Sequence, residues 1–113
     1  EWFGTLTEAF RSLSCPWYPV IGNHDYTSQT SRDTYTAAFP DKLNFAFEEH
    51  GWQFLGLDTS DGLLYERTTI QPATFAWLEE NLRRLDPGKP TVVHTHFPLG
   101  EGVKFRPRNA DAL

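Results

Sequence analysis

Apolar residues recur along this chain with two different periods, and each change of period marks a new element. Leu6, Ala9, Phe10 and Leu13 keep a helical spacing with Glu8 and Arg11 off the stripe, which predicts an amphipathic helix over residues 6–13. Ser14-Cys15-Pro16 stops it, because the residue before a proline is steered out of helical dihedrals. Residues 17–21 form a short apolar run that predicts a buried strand. Its Pro19 removes a ladder donor and marks an irregular or early-strand position. Residues 22–31 are polar and end the strand in a loop, and residues 32–39 predict one or two helical turns closed by Pro40.

Alternation then replaces the helical period. Phe45 and Phe47 alternate with Asn44, Ala46 and Glu48, and residues 52–58 alternate less cleanly. His50-Gly51 between them supplies a turn, so the pair predicts an antiparallel hairpin. Residues 59–69 are loop-like, with Asp61-Gly62 as the sharpest turn signal. A second helix begins at Pro72, since a proline at the first helical position forfeits only an N–H that has no partner there anyway. Phe75, Leu78, Leu82 and Leu85 form its apolar stripe, with Trp77 beside it, while Glu79, Glu80, Arg83 and Arg84 suit the wet face. Asp86-Pro87-Gly88 ends it, residues 91–95 are a β-branched strand, and Asn109 is placed to cap a further helix beginning at Ala110. This order predicts an α/β fold, helices packed on a mixed sheet in a single domain over residues 1–113.

Composition narrows the partners. With 113 residues and a formal net charge of -5, and no basic run longer than Arg83-Arg84, the chain lacks the stripe that neutralises a nucleic-acid backbone. A small phosphorylated substrate remains open, because metal ions can supply positive charge locally. No stretch has the ~18 apolar residues of a membrane span. Cys15 is the only cysteine, which excludes an internal disulfide and leans weakly towards a reducing, cytoplasmic setting. It is expected to be a small buried apolar residue.

Two strand ends carry the candidate chemistry. Gly22-Asn23-His24-Asp25 follows the first predicted strand, and ligands of open α/β sheets collect at carboxyl ends of strands. Gly22 permits a sharp turn or a close approach. Asn23 offers a neutral oxygen ligand, His24 a nitrogen ligand or a mobile proton, and Asp25 an acceptor for the second ring proton of His24. A polar turn bonded to its own backbone is the plainer alternative. His96 leaves the second core strand, so neighbouring strands would bring it to Asn23 over one rim. His94 is read first as a buried histidine bonded to backbone, with a ligand role and a donor role behind a ligand as alternatives. Asp58 is read as a strand cap before a supporting carboxylate, His50 as a solvated turn residue, and Tyr26 and Tyr65 as loop residues near the site edge.

Taken together these residues resemble a known family. Residues 20–25, Val-Ile-Gly-Asn-His-Asp, resemble the Gly-Asn-His-Asp signature of calcineurin-like metallophosphoesterases. Phe45-Ala46-Phe47, then Phe54-Leu55-Gly56-Leu57-Asp58-Thr59, then Gln71 with the helix containing Trp77-Leu78, then His94-Thr95-His96-Phe97-Pro98 follow in the family's order. The flavour is closest to its cyclic-nucleotide phosphodiesterase-like and purple-acid-phosphatase-like branch. The resemblance implies the central portion of an αββα sandwich with mixed sheets, incomplete at both ends. It implies Asn23 and His96 as ligands of one metal, His24 beside the phosphate, and Asp25 holding His24. It also implies two ions such as Fe, Mn or Zn that polarise the phosphoryl group of a monoester or diester.

The family's Asp-x-His, Gly-Asp and Gly-His-x-His blocks have no counterpart in the sequence. Two ligands fall short of the three or more that such ions usually take from protein, so these residues alone are expected to bind metal poorly. A start without Met and an end at a helix start are read as marks of a portion of a longer enzyme. An inactive nucleotide- or phosphate-binding or structural module is the alternative. Association through sheet edges left uncovered is a further expectation.

Overall fold

Three strands form one mixed sheet in the order β1-β2-β3. The structure, a computed structural model, describes residues 2–113. Strands β1 (Phe45–Glu49) and β2 (Trp52–Leu57) pair antiparallel, Glu49 opposite Trp52, and β3 (Thr91–Thr95) runs parallel to β2. The predicted hairpin therefore forms with a tight turn at His50-Gly51, both at positive φ (49° and 82°). That is the combination a primed turn demands to match strand twist. Gly56 faces Phe45 across the ladder. The Phe45 ring fills the space a side chain would take there, since a Cβ on Gly56 would lie 2.1 Å from it.

Helix α3 (Pro72–Asn81), continued by a 3-10 turn over Leu82–Arg84, covers one face of the sheet. Leu78 packs with Leu55 and Leu57, with Trp77 and Leu85 closing the edges of this cluster. Burying each of the three leucines contributes about 1.5–3 kcal/mol. The α3 face that enters the core is Thr74 and Leu78, and Leu82 is left exposed. The stripe expected from Leu82 breaks because the helix tightens to 3-10 geometry at that residue, rotating it off the sheet. Gln53 ties the helix exit to the sheet. Its amide accepts from Asp86 N–H at 2.7 Å and donates to Asp86 O at 3.0 Å.

The other face carries a row of rings. Tyr18 stacks on Phe47 at 3.7 Å, Phe47 on Phe54 at 4.8 Å, and the His94 ring lies 5.9 Å from Phe54. Tyr18 thus packs on the sheet face, and residues 17–21 form no strand ladder, contrary to the sequence expectation. Pro19 removes one donor from this stretch, and side-chain packing holds it instead. A separate core gathers Ile21, Tyr26, Tyr35 and Phe39, with Phe3, Phe10 and Trp17 against it, under helices α1 (Trp2–Arg11) and α2 (Asp33–Ala38).

Helix α1 buries Thr7 with Phe3 and Phe10 beside it, whereas Leu6 and Leu13 are exposed. The aromatic positions outcompete the smaller leucines for the ring-lined core. Cys15 is exposed, not buried, because it follows the helix end on the surface. Asn109 does not cap the short 3-10 turn Ala110–Ala112. It accepts from Ile70 N–H at 2.8 Å and donates to Ile70 O at 2.9 Å. The expected architecture thus appears as one mixed sheet flanked by helices, with no second sheet among the described residues. Among those residues no helix is long and apolar enough to cross a membrane.

Candidate functional site

Parallel pairing sends the carboxyl ends of β2 and β3 to the same edge, and the loop after each begins there. His96 leaves β3 and is followed at once by a locked residue. Phe97 is buried, and its N–H donates to the hydroxyl of Thr59 at 3.1 Å, across the end of β2. Thr95 Oγ1 donates to Phe97 O at 2.8 Å and tightens the same exit. The side chain of His96 is consequently aimed by the residues on both sides of it.

The Gly22 turn is built from local polar bonds. Asn23–Asp25 form a single 3-10 turn in which Asp25 N–H donates to Gly22 O at 3.1 Å. Gly22 N–H in turn donates to Asp25 Oδ2 at 2.8 Å. Asn23 is buried by this closure and His24 is left exposed at the tip. Asp25 thus acts on the turn and makes no hydrogen bond to His24, a correction to the direct contact expected from the sequence.

The two loop tips meet. His96 Nε2 and Asn23 Oδ1 are 3.1 Å apart, and the tautomer with its proton on Nε2 donates to the amide oxygen. Gly22 makes this possible, since a Cβ there would fall 2.7 Å from Cε1 and Nδ1 of His96. Convergence of Asn23 and His96 therefore holds although the segment bearing Asn23 is not a neighbouring strand of β3.

His24 borders a cleft of about 630 Å³ together with Phe3, Leu6, Asp25, Tyr26 and Thr27. A hollow of about 670 Å³ between Thr36, Pro40, Asn44 and Trp77 contains none of the candidate residues. The cleft at His24 is the one lined by candidate residues, His24, Asp25 and Tyr26.

Behind the turn lies a buried polar network that sequence reasoning did not assemble. Arg32 donates to Asp58 Oδ2, and Ser60 N–H donates to Asp58 Oδ1 at 2.9 Å. Gln71 Nε2 donates to Tyr26 OH at 3.0 Å and to Ser60 O at 2.9 Å. Burial pushes the Asp58 carboxyl up from its ordinary value, against the opposing pull of the Ser60 N–H and Arg32. Burial likewise raises the Tyr26 phenol, and the nearby Asp58 charge adds to it. Asp58 thus combines the expected cap, through Ser60, with an ion pair to Arg32. No local pattern announced that pair, because its partners are separated by 26 residues. Of the remaining candidates, His50 is fully solvated beside Glu49. His94 is only half-buried and has no backbone partner among the described residues. Tyr65 packs on Phe105 at 5.8 Å, in a different loop pair.

Two atoms of ligand type now stand side by side, an amide oxygen and an imidazole nitrogen. Their 3.1 Å separation is a little short of the ~3.4 Å expected between adjacent donors on a tetrahedral ion with bonds of about 2.1 Å. The fit covers part of a shell, since at least three protein donors are usual. Among the described residues no group of three or more His, Cys, Asp or Glu is placed to hold a metal ion.

The model of the family described as calcineurin-like phosphoesterase matches residues 1–113, at the level of the family and of no branch within it. Comparison with curated proteins and with solved structures gives no match. Proteins of that family generally depend on two metal ions and act on phosphorylated substrates.

Proposed function

This chain belongs to the calcineurin-like phosphoesterase family, and from that premise we propose that it supplies one side of a centre for metal-dependent hydrolysis of a phosphomonoester or phosphodiester. The observation that carries the reading is the contact of Asn23 Oδ1 with His96 Nε2 at 3.1 Å, over a Gly22 that admits no side chain.

Asn23 and His96 would hold one metal, with the remaining donors coming from residues outside this set. Two ions of the Fe, Mn or Zn kind would provide Lewis acidity and a nucleophile at neutral pH. His24, exposed at the tip of the turn and bordering the adjacent cleft, stabilises charge on the phosphate or gives a proton to the leaving oxygen. Asp25 keeps the backbone of His24 in place through the Gly22 N–H. The substrate is a small phosphorylated molecule whose leaving group enters the cleft between α1 and the turn.

Replacing His24 with Ala in the intact protein should lower turnover at least ~100-fold, as loss of a general acid does, with metal content retained. Asn23→Ala and His96→Ala should each lower metal content by elemental analysis. Undiminished turnover in the His24 variant overturns the role given to it.

A second reading, a phosphate- or nucleotide-binding or structural module without turnover, draws on the donor count: Asn23 and His96 satisfy each other, and among the described residues no group of three or more His, Cys, Asp or Glu is placed to hold a metal ion. Phosphate binding by an intact protein that carries no metal and hydrolyses nothing would decide for the module. The outer edge of β3, where Val93 is 44% exposed, is where an added strand would pair.

A further inference from the structure

A second concave site lies between the loop after β2 and the loop after β3. Its volume is about 300 Å³, and Glu66, Arg67, Lys104, Phe105, Arg106 and Arg108 line it. Arg106 is already committed, since Nε donates to Leu99 O at 2.8 Å and Nη2 pairs with Asp111. Arg67, Lys104 and Arg108 form no ion pair among the described residues. Three cations thus share one hollow with a single lining carboxylate, in a chain whose net charge is -5.

Like charges gathered at one hollow repel, and Arg67, Lys104 and Arg108 are exposed there, so their summed field faces the solvent from which an anion would come. The loops are nonetheless fastened so as to keep them together. Arg108 N–H donates to Thr68 O at 3.0 Å, and Asn109 grips both polar groups of Ile70. Arg67 and Phe105 both hold left-handed backbone, φ 58° and 65°, which a non-glycine residue adopts at a cost of about 1–2 kcal/mol. Lys104 is exposed, and its Nζ stands 4.6 Å over the Phe105 ring, which draws the ammonium towards the hollow.

We propose that this hollow is an anion site for a diphosphate group, separate from Asn23, His24 and His96. Two arginine forks match phosphate oxygens in pairs, and the lysine adds a point charge. The volume sits at the small end of ligand pockets, which suits a diphosphate and not a polymer. The site does not depend on the hydrolytic reading, although Leu99, which anchors Arg106, is three residues after His96.

Titration calorimetry of the intact protein with inorganic pyrophosphate, in chelator and at low salt, tests it. The wild type should bind, and Arg67→Asn with Lys104→Gln should weaken binding at least ~10-fold; asparagine is chosen because it tolerates the left-handed backbone. Arg108→Gln alone should weaken it less, and Asn23→Ala should leave it unchanged. No binding by the wild type, equal binding by the charge variants, or loss of binding in Asn23→Ala each overturns the proposal. A nucleoside diphosphate binding more tightly than pyrophosphate, by the same residues, would support it and assign the Tyr65–Phe105 ring pair to the organic part. Equal affinity would support it with the diphosphate alone as the ligand.

Discussion

The two halves of the candidate centre are supported in unlike ways. His96 extends from β3, whose ladder to β2 fixes it residue by residue, from Gln53 opposite Thr91 to Leu57 opposite Thr95. Asn23 extends from a segment with no ladder, kept in place by Ile21 in a ring-lined core, by Ser60 Oγ donating to Ile21 O at 3.4 Å, and by the Tyr26–Gln71 bond. One half inherits its position from backbone register and the other from side-chain packing. The difference teaches that a site closed by a 3.1 Å contact can be loosened from one side by changes that leave its sheet intact.

The sharpest way to break this contrast is to hollow the aromatic core. Phe39, 1% exposed, sits within 5.0–5.7 Å of the rings of Tyr35, Phe3 and Trp17. Phe39→Ala should lower stability by about 3–5 kcal/mol in urea denaturation. In hydrogen exchange, amides of residues 22–26 should lose protection before those of β2. Simultaneous loss in both regions would mean that the halves are not separately supported.

Next in size, Gly22→Ala pushes a methyl group into the His96 ring. Metal affinity of the intact protein should fall at least ~10-fold, about 1.4 kcal/mol. Gly4→Ala, with nothing within 4 Å of the added carbon, is the matched control and should stabilise α1 by about 0.5–1 kcal/mol. Equal metal affinity in both variants would show that the contact with His96 is dispensable.

Asp58 gives a pH test of the junction between the halves. Burial raises its carboxyl above the ordinary 3.8, so the folded state holds this proton more tightly than the unfolded chain does. The stability tied to that proton is complete below pH 3.8 and is lost as pH rises through the higher folded value. Wild type measured against Asp58→Asn by urea denaturation across this range should therefore lose ground as pH rises. Parallel profiles would remove Asp58 as the titrating group. The smallest effect belongs to the hairpin, far from both halves. His50 holds φ 49°, a backbone that asparagine prefers, and His50→Asn should raise stability by at most about 1 kcal/mol, read as a small increase in Tm. A change in metal content from that variant would contradict its remoteness.

Much of the regular half was legible in the sequence. The alternation around Phe45 and Phe47, the His50-Gly51 turn, Pro72 at a helix start and the β-branched run before His96 are local signals for local geometry, and each element forms. The Asn23 half was legible only as chemistry. Its apolar run reads as a strand, yet whether such a run enters a ladder depends on what lies beside it, and Tyr18 finds the rings of Phe45 and Phe47. The helix faces were misjudged for a related reason. Leu6 and Leu82 fit a stripe, but Phe3, Thr7 and Thr74 are the residues that meet a partner. Asn23 and His96, 73 positions apart, were brought together by two strand ends read as sharing one rim, whereas Arg32 and Asp58, 26 apart, carry no local signal for their pair.

The grip of Asn109 on Ile70 has an outcome of its own. One side-chain amide imitates a peptide rung and welds two places 39 residues apart. Two such bonds, each about 0.5–1.5 kcal/mol net, couple the stretch before α3 to the stretch after β3, so slack on one side is passed to the other.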